Sequence, residues 1–333
     1  MKLLVVLAVS IALCAGNAIP LVPGDNSHYV EGESRYIWMP DGEGVPHLVD
    51  LHQLPEEDIL SSTRNGANNA YWLFTRQNPT NAQILVQNNA NSVSSSNYVA
   101  SRPLKVIVHG WNSNGNSAVN PMARDAFLAV SDCNVIVVDW RSAANGLYTT
   151  SVRAVPSVGQ FLGNFLSWLI SNHGGNWNNV HLVGFSLGAH VVGNAGRTAG
   201  RQARRITGLD PAGPQWGNNN NALNSNDGQY VEAIHTDGGL LGINDPIGRT
   251  NFYPNGGRNA QPGCLISTCS HSRAYEFFAA TIRFNHLIGR QCTNQSQANN
   301  NQCTGGNLHM GNAVLNKNGN GLFAMTTGRS WPF

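Results

Sequence analysis

The stretch "VHLVGFSLGAHVVGNAG" at residues 180–196 contains the pattern G-x-S-x-G between two different kinds of segment. An apolar run typical of a buried strand precedes the serine, and small residues with a helical pattern follow it. A serine on such a sharp strand-to-helix turn has its hydroxyl lifted above the sheet. Side chains at Gly184 and Gly188 would collide with the neighbouring strand and helix. We therefore expect Ser186 to be a nucleophile rather than an ordinary serine at the start of a helix.

The segments on either side of this turn alternate between strand and helix patterns. Strand patterns occur at residues 69–76, 104–110, 133–140, 180–185, 205–210 and 230–237, and helical patterns at residues 120–130 and 156–172. Near-continuous β-branched runs are typical of strands buried on both faces of a mostly parallel sheet. The alternation predicts one α/β domain over residues 65–333, with helices on both faces of the sheet. Residues 19–64 are interpreted as an arm or a removable pro-segment.

A serine hydroxyl needs a histidine base that a carboxylate orients. In folds with this strand-turn-helix nucleophile, the chain order is serine, acid, histidine. Asp139 precedes the serine and has the wrong order, whereas Asp210 in "ITGLDPAGP" ends the next strand after the nucleophile. Asp237 and Asp245 are alternatives. We favour Asp210 because the turn after its strand would present the carboxylate at the same edge of the sheet.

The same chain order indicates the base, and the chemistry of acyl transfer indicates the oxyanion donors. His271 is favoured as the base because it lies after the last predicted strand and just before a helical run; His235 and His190 are interpreted as structural histidines. Acyl transfer also needs N–H donors for the developing oxyanion. Leu187, directly after the nucleophile, supplies one backbone N–H. Trp111 in "IVHGW" is the candidate for the other, although aromatic packing alone would also explain it.

The composition excludes several classes of protein. Of 333 residues, 41% are hydrophobic and 36 are glycine, enough for a substantial core. The net charge of +2 without a basic stripe argues against nucleic-acid binding. Only three of the 20 basic residues are lysines, Lys2, Lys105 and Lys317. Arginine keeps its charge at higher pH than lysine does, which leads to the hypothesis of a strongly alkaline medium such as an insect gut lumen; codon or lineage bias is the alternative explanation.

The first residues resemble an export signal. Lys2 precedes the apolar run "LLVVLAVSIAL" (3–13) and the small residues "CAGNA", so residues 1–18 are predicted to be a signal peptide. No later stretch reaches 18 apolar residues, so we expect no stable membrane insertion. The mature protein is therefore predicted to be secreted.

Cleavage of this signal would leave five cysteines in an oxidising compartment. The economical pairing is Cys264 with Cys269 and Cys292 with Cys303, which leaves Cys133 free; sequence alone does not prove this connectivity. A zinc site needs four ligands, and only one histidine lies near the first pair. A thioredoxin-like pair has two residues between its cysteines, not four. We therefore predict neither a metal nor a redox centre.

Six motifs in order, "VHGW", "GFSLGAHVVG", "ITGLDPAGP", "IHTDGG", "FYPNGG" and "CSHSRA", resemble the pancreatic-type lipase family, and in particular insect secreted lipases and wasp venom phospholipases A1. The resemblance covers about residues 65–333. It implies an α/β-hydrolase fold, a triad of Ser186, Asp210 and His271, and an oxyanion hole of Trp111 and Leu187. It also implies a secreted, cofactor-free carboxylic ester hydrolase that acts on lipid at a membrane, micelle or emulsion surface.

The chain departs from the vertebrate members of this family in two respects that bear on lipid and metal binding. Those members continue into a C-terminal β-sandwich domain, which we expect to be absent here. They also bind calcium through several carboxylates, where this chain has "GNNNNALNSNDG" with Asp227 as the one carboxylate. Because hard cations need charged oxygen ligands, no strong calcium site is expected.

The largest departure concerns the lid, a loop of some twenty residues between two cysteines in relatives with strong triacylglycerol activity. Between Cys264 and Cys269 this chain has four residues: Leu265, Ile266, Ser267 and Thr268. Wasp-type phospholipases similarly have shortened loops, and an uncovered groove should admit polar head groups. Phospholipase A1 activity is therefore favoured, with triacylglycerol or galactolipid cleavage as alternatives. An alternative of another class is a non-catalytic lipid-binding or storage protein, like the insect yolk proteins.

Overall fold

The computed structural model describes residues 20–56 and 65–333. The predicted signal peptide lies outside these residues, as do positions 57–64 of the predicted arm. The strands are β1 (Tyr36–Pro40), β2 (Pro46–Asp50), β3 (Ala70–Phe74), β4 (Gln83–Leu85), β5 (Leu104–Val108), β6 (Asn134–Asp139), β7 (Val180–Phe185), β8 (Arg205–Leu209), β9 (Val231–Ile234), β10 (Thr250–Pro254), β11 (Ile288–Cys292), β12 (Asn307–His309) and β13 (Gly321–Met325).

The helices alternate with these strands, as the sequence predicted. They are α1 (Ala90–Ser94), α2 (Val119–Val130), α3 (Arg141–Ala144), α4 (Tyr148–His173), α5 (Leu187–Thr198), α6 (Ser267–Phe284) and α7 (Gln295–Asn299), with short 3-10 helices at Gly66–Asn68 and Trp177–Asn179. Helix α4 begins eight residues before the predicted start and contains Pro156. No helix within the described parts of the chain is both long enough and apolar enough to cross a bilayer.

Eleven strands form one sheet in the order β12-β11-β13-β10-β9-β8-β7-β5-β6-β3-β4. The seven strands from β13 to β6 in this order are parallel to one another, and the strand pairs at both edges of the sheet are antiparallel. All five residues of β5 are buried. Both predictions, a mostly parallel sheet and strands buried on both faces, are confirmed.

The core lies in two apolar layers because side chains alternate between the faces of each strand. Val106 and Val108 of β5 pack with α4 and α5 on one face, whereas Ile107 packs with α2 and α6 on the other. Parallel strands end at the same edge of the sheet. The carboxyl ends of β5, β7 and β8 therefore bring three of the sequence motifs together.

Strands β1 and β2 form a separate antiparallel hairpin, with Tyr36 opposite Asp50. Its inward side chains Ile37, Met39 and Val49 belong to the same buried apolar cluster as the sheet residues Val106 and Val108. The described part of the predicted arm is therefore packed against the main body.

Candidate active site

Ser186 lies on a turn between β7 and α5, with a backbone φ of +55°. A residue with a side chain rarely adopts this conformation, which costs about 1–3 kcal/mol. Surrounding contacts hold it there: the Ser186 N–H donates to the Leu209 carbonyl of the neighbouring strand at 3.0 Å. The strained turn that the G-x-S-x-G pattern predicted is present.

The two glycines of the pattern allow the chain to pass close to its neighbours. A Cβ at Gly188 would lie 2.3 Å from the carbonyl oxygen of Val108, at the end of β5. A Cβ at Gly184 would lie 2.1 Å from the carbonyl oxygen of Gly188. Both distances are far below van der Waals contact, so the turn needs glycine at both positions.

Asp210 and His271 form a direct hydrogen-bonded pair. The Nδ1 atom of His271 lies 2.6 Å from Oδ2 of Asp210, and both side chains are buried. The other carboxylate oxygen, Oδ1, accepts the backbone N–H groups of Thr236 at 2.7 Å and Asp237 at 3.1 Å. These two N–H groups fix the carboxylate, so that its free oxygen faces the imidazole.

His271 and Ser186 line the same cavities, in which the imidazole is 2% and the serine 9% exposed. Since Nδ1 is engaged by Asp210, the other ring nitrogen, Nε2, remains for the serine hydroxyl. The ring of Phe185 lies 4.7 Å from the imidazole ring, centroid to centroid. The arrangement can remove a proton from the serine hydroxyl and return it to a leaving group.

His271 does not lie where the strand pattern placed it. It was expected after the last strand and before a helix, but α6 already begins at Ser267 and β11, β12 and β13 follow later in the chain. The helix starts early because Ser267 and Thr268, expected in the lid, are buried as its first residues. His271 is therefore held on a helix rather than on a loop.

The two oxyanion candidates lie on either side of the nucleophile. Leu187 is the first residue of α5, and Trp111 follows Gly110, where a Cβ would lie 3.0 Å from Cβ of Ser186. Among the residues that the structure describes, neither the Leu187 nor the Trp111 backbone N–H has a hydrogen-bond acceptor. Buried N–H groups are rarely unpaired, and these two are free to donate to an anion beside the Ser186 hydroxyl.

The side chain of Trp111 also packs, as the alternative interpretation proposed. Its Nε1 donates to the carbonyl of Gly146 at 3.1 Å, and its ring meets the ring of Tyr148 edge-on. The backbone and the side chain of Trp111 therefore serve different purposes.

The competing histidines are structural. His235 stacks on Tyr253, and its ring nitrogens contact the Ile243 carbonyl and Asn251. His190 contacts the Ala212 carbonyl through Nε2 and accepts the backbone N–H of Leu223 through Nδ1. Burial lowers the pKa of His190 to about 3 and lowers that of His235 as well.

Among the competing acids, Asp245 is exposed, whereas Asp237 is buried next to Asp210. One oxygen of Asp237 accepts from the Ser267 hydroxyl and the Leu241 N–H, and its Oδ1 has no partner among the described groups. Burial first, and then the negative charge of Asp210, raises the pKa of Asp237 well above its usual range. A neutral Asp237 carboxyl can lie beside an ionised Asp210 without charge repulsion.

Sequence reasoning missed a second buried pair that supports the Trp111 loop. His109 lies 3.5 Å from Asp139, whose carboxylate also binds Arg141. Burial opposes ionisation of Asp139, but the hydrogen bonds from His109 and Arg141 outweigh it and lower the pKa of the carboxyl. The Trp140 indole N–H donates to the His109 carbonyl at 2.9 Å. The sequence feature that could have indicated this pair is His109 in "VHGW".

Two clefts meet at Ser186 and His271, with volumes of about 350 and 240 Å³ including space open to solvent. Pro40 of the N-terminal hairpin lines both clefts. The short loop between Cys264 and Cys269 was expected to leave an uncovered groove. Residues 39–42 of the hairpin line these clefts, so part of their wall comes from the N-terminal arm.

Both expected disulfides are present. Cys264 is bonded to Cys269 with a Cα–Cα distance of 5.5 Å, and Cys292 to Cys303 with 4.5 Å. Cys133 is a buried free thiol, as expected. Of the four residues enclosed by the first disulfide, Leu265 is 94% exposed and Ile266 partly exposed.

The carboxylate at the position of the family's calcium site is already paired. Both oxygens of Asp227 bind the Arg197 guanidinium, at 2.6 and 3.0 Å, and Oδ2 also accepts the Asn224 N–H. A cation there would have to displace a guanidinium. In the described ranges no group of three His, Cys, Asp or Glu side chains is placed to hold a metal.

Comparison with known proteins finds similarity over most of the chain. A family model described as Lipase matches residues 53–319. The chain is 32% identical to "Pancreatic triacylglycerol lipase" of Myocastor coypus over 273 residues, covering 74% of this chain and 59% of that protein. It is 36% identical to "Phospholipase A1 member A" of Rattus norvegicus over 224 residues, covering 64% and 48%. It is 33% identical to "Lipase member H" of Oryctolagus cuniculus over 254 residues, covering 72% and 54%.

The chain thus spans about half to three-fifths of the length of these relatives. The match nonetheless includes the nucleophile turn, the Asp210–His271 pair and the loop of Trp111, and it extends over most of the chain. On this evidence the chain belongs to the lipase family.

Proposed function

We propose that the protein is a secreted carboxylic ester hydrolase that cleaves acyl esters of glycerolipids, with phospholipase A1 activity favoured. The observation that carries the proposal is the Asp210–His271 pair in one cleft with Ser186, on a strained turn beside two unpaired N–H groups. Its substrate would be presented at a membrane, micelle or emulsion surface, and the reaction needs no cofactor and no nucleic acid.

In the proposed reaction the Ser186 hydroxyl attacks the acyl carbonyl carbon while Nε2 of His271 accepts its proton. Asp210, ionised, stabilises the imidazolium through Nδ1. The N–H groups of Trp111 and Leu187 stabilise the oxyanion, and each such donor is worth about 10²–10³ in rate. His271 then returns the proton to the departing alcohol, and water attacks the acyl-enzyme with His271 as base. The products are a fatty acid and a deacylated lipid.

The preference for phospholipid rests on the four-residue loop between Cys264 and Cys269 and on the relatives. These include a protein described as a phospholipase A1 as well as triacylglycerol lipases. Secretion is supported by the two disulfides, which persist in oxidising compartments. Triacylglycerol and galactolipid remain the alternative substrates.

The test compares purified wild-type protein with Ser186→Ala on phosphatidylcholine vesicles, galactolipid micelles and emulsified triolein, with fatty acid release as the readout. We expect activity on phosphatidylcholine to exceed that on triolein, and Ser186→Ala to abolish both. A clear preference for triolein would reject the phospholipase assignment. If wild-type protein binds lipid but releases no fatty acid from any of them, the lipid-binding alternative replaces the hydrolase.

A further inference from the structure

The N-terminal hairpin contributes to the walls of the clefts that contain Ser186 and His271. Met39 and Pro40 line one of the two clefts that contain Ser186 and His271, and residues 40–42 line the other. Pro40 lines both clefts, as Trp111, Ser186 and His271 do, so it lies where the two clefts meet. The four-residue loop between the cysteines is too short to cover this position.

The hairpin is anchored by buried contacts rather than resting on the surface. Asn26 holds the backbone of Trp38 through two hydrogen bonds of 2.8 Å, from Nδ2 to the carbonyl and from the N–H to Oδ1. The same Nδ2 donates to the hydroxyl of Ser267, at the start of α6, at 3.1 Å. Ser267 in turn donates to Asp237 beside Asp210. The arm is therefore connected to the catalytic acid through buried polar groups.

The turn of the hairpin is fitted to the loop that carries Trp111. The Gly42 N–H donates to the carbonyl of Asn112 at 3.1 Å, and a Cβ at Gly42 would lie 1.9 Å from the hydroxyl oxygen of Ser117. Asp41 accepts the N–H groups of Glu43 and Val45 and fixes the turn. These contacts hold the turn in a single position relative to Ser186.

The two clefts have different chemistry. Apart from the residues common to both, one is lined by Met39, Tyr148, Ala212 and Leu241, whereas the other includes three serines and Asp41. The first is lined mainly by apolar side chains, which match the acyl side of an ester, whereas the three serines of the second match its polar alcohol side. An ester carbonyl at Ser186 would then extend one part into each cleft.

We infer that the N-terminal hairpin is a permanent, specificity-determining part of the active site, in which Pro40 separates the acyl cleft from the alcohol cleft and Met39 limits the acyl chain. This inference rests on the proposed ester hydrolysis. It assigns to the arm a role in substrate binding, and it excludes the interpretation of the described arm as a removable pro-segment.

The test measures kcat/KM for p-nitrophenyl esters of four and twelve carbons in wild type, Met39→Trp, Met39→Ala and Val45→Ala. Met39→Trp fills the acyl cleft and should lower the ratio of long-chain to short-chain kcat/KM by about tenfold or more. Met39→Ala widens the cleft and should raise this ratio. Val45 is exposed in the same hairpin turn and lines neither cleft, so Val45→Ala should keep the wild-type ratio.

A serine-reactive phosphonate separates this inference from the proposed function. Wild type and all three variants should be labelled at Ser186; a wild type that is neither labelled nor active fails the hydrolase proposal itself. If all are labelled but the chain-length ratio stays within about twofold in both Met39 variants, the role of the hairpin is wrong. The intact mass of the active secreted protein should show that its chain still contains Asn26 and the hairpin. An active enzyme whose chain begins after Asp50 would equally overturn the inference. If Met39→Trp does not fold, the ratio of long-chain to short-chain kcat/KM in Met39→Ala decides whether the inference holds.

Discussion

The substitution Asp210→Asn tests the catalytic pair most directly, because the geometry dictates how the amide must lie. Oδ1 of Asp210 accepts two backbone N–H groups, from Thr236 and Asp237. An asparagine can satisfy them only with its carbonyl oxygen. Its NH₂ group would then take the place of Oδ2, 2.6 Å from Nδ1 of His271.

Facing an NH₂ donor, Nδ1 must become the hydrogen-bond acceptor, which moves the ring proton to Nε2. A protonated Nε2 cannot accept the proton of the Ser186 hydroxyl. The negative charge that stabilises the imidazolium is also lost. For a wrong-tautomer change of this kind in a serine hydrolase the loss in kcat is about 10⁴-fold, equivalent to about 5.4 kcal/mol. KM should change little, because Asp210 is fully buried and lines neither cleft.

The assay is the steady-state hydrolysis of p-nitrophenyl butyrate, with thermal unfolding to verify that each variant folds. The matched control is Asp237→Asn, since Asp237 is a second buried carboxyl beside Asp210 that does not contact His271. The pKa of Asp237 is raised by burial and by the charge of Asp210, so the amide resembles its protonated form. Asp237→Asn should therefore retain activity within about tenfold. The assignment of the acid would be refuted if a folded Asp210→Asn lost less than about tenfold in kcat. It would also be refuted if Asp237→Asn lost more kcat than Asp210→Asn.

Three further predictions concern stability and reactivity. Gly188→Ala should destabilise the fold by at least about 1–3 kcal/mol, measured by urea unfolding, because its Cβ would lie 2.3 Å from the Val108 carbonyl oxygen; wild-type stability would contradict this. The buried thiol of Cys133 should react with Ellman's reagent only after denaturation, and rapid reaction of the native protein would show that it is accessible. Burial, and then repulsion from Arg205, lowers the pKa of Lys105 to about 7, so above pH 7 the unfolded chain binds more protons at this residue than the folded protein. This lysine should therefore make stability rise by about 1 kcal/mol per pH unit between about pH 7 and 10. Lys105→Met should remove that increment in urea unfolding at pH 7, 8 and 9, and an unchanged slope would refute it.

The sequence predicted the nucleophile turn because its determinants are local. Gly184 and Gly188 flank Ser186 within five residues, and a strand-turn-helix pattern surrounds them. The sheet and its two-sided burial were predictable for the same reason, since a β-branched run such as residues 104–108 by itself indicates a strand that is buried on both faces. The pairing of Cys264 with Cys269 followed from their proximity in sequence.

Local pattern was insufficient where the answer depends on contacts between distant segments. Asp210 and Asp237 both follow strands of the sheet, and only the packing shows that the first faces His271 while the second faces Ser267. The helical start of α6 at Ser267 was missed because its first residues resemble a loop. The pair of His109 and Asp139 was missed because only the pairing of β5 with β6 brings the ends of these two strands together.

The sequence by itself determined the α/β architecture, the strained turn at Ser186 and the residue types for its chemistry, because these features are encoded in short patterns of size and polarity. Only the tertiary structure decided which carboxylate faces the imidazole and what borders the nucleophile. The hairpin around Pro40 is about 150 residues from Ser186 in the chain, and no local pattern reports a contact over that separation. Hydrogen bonds from Asn26 to Ser267 and from Gly42 to Asn112 hold it there.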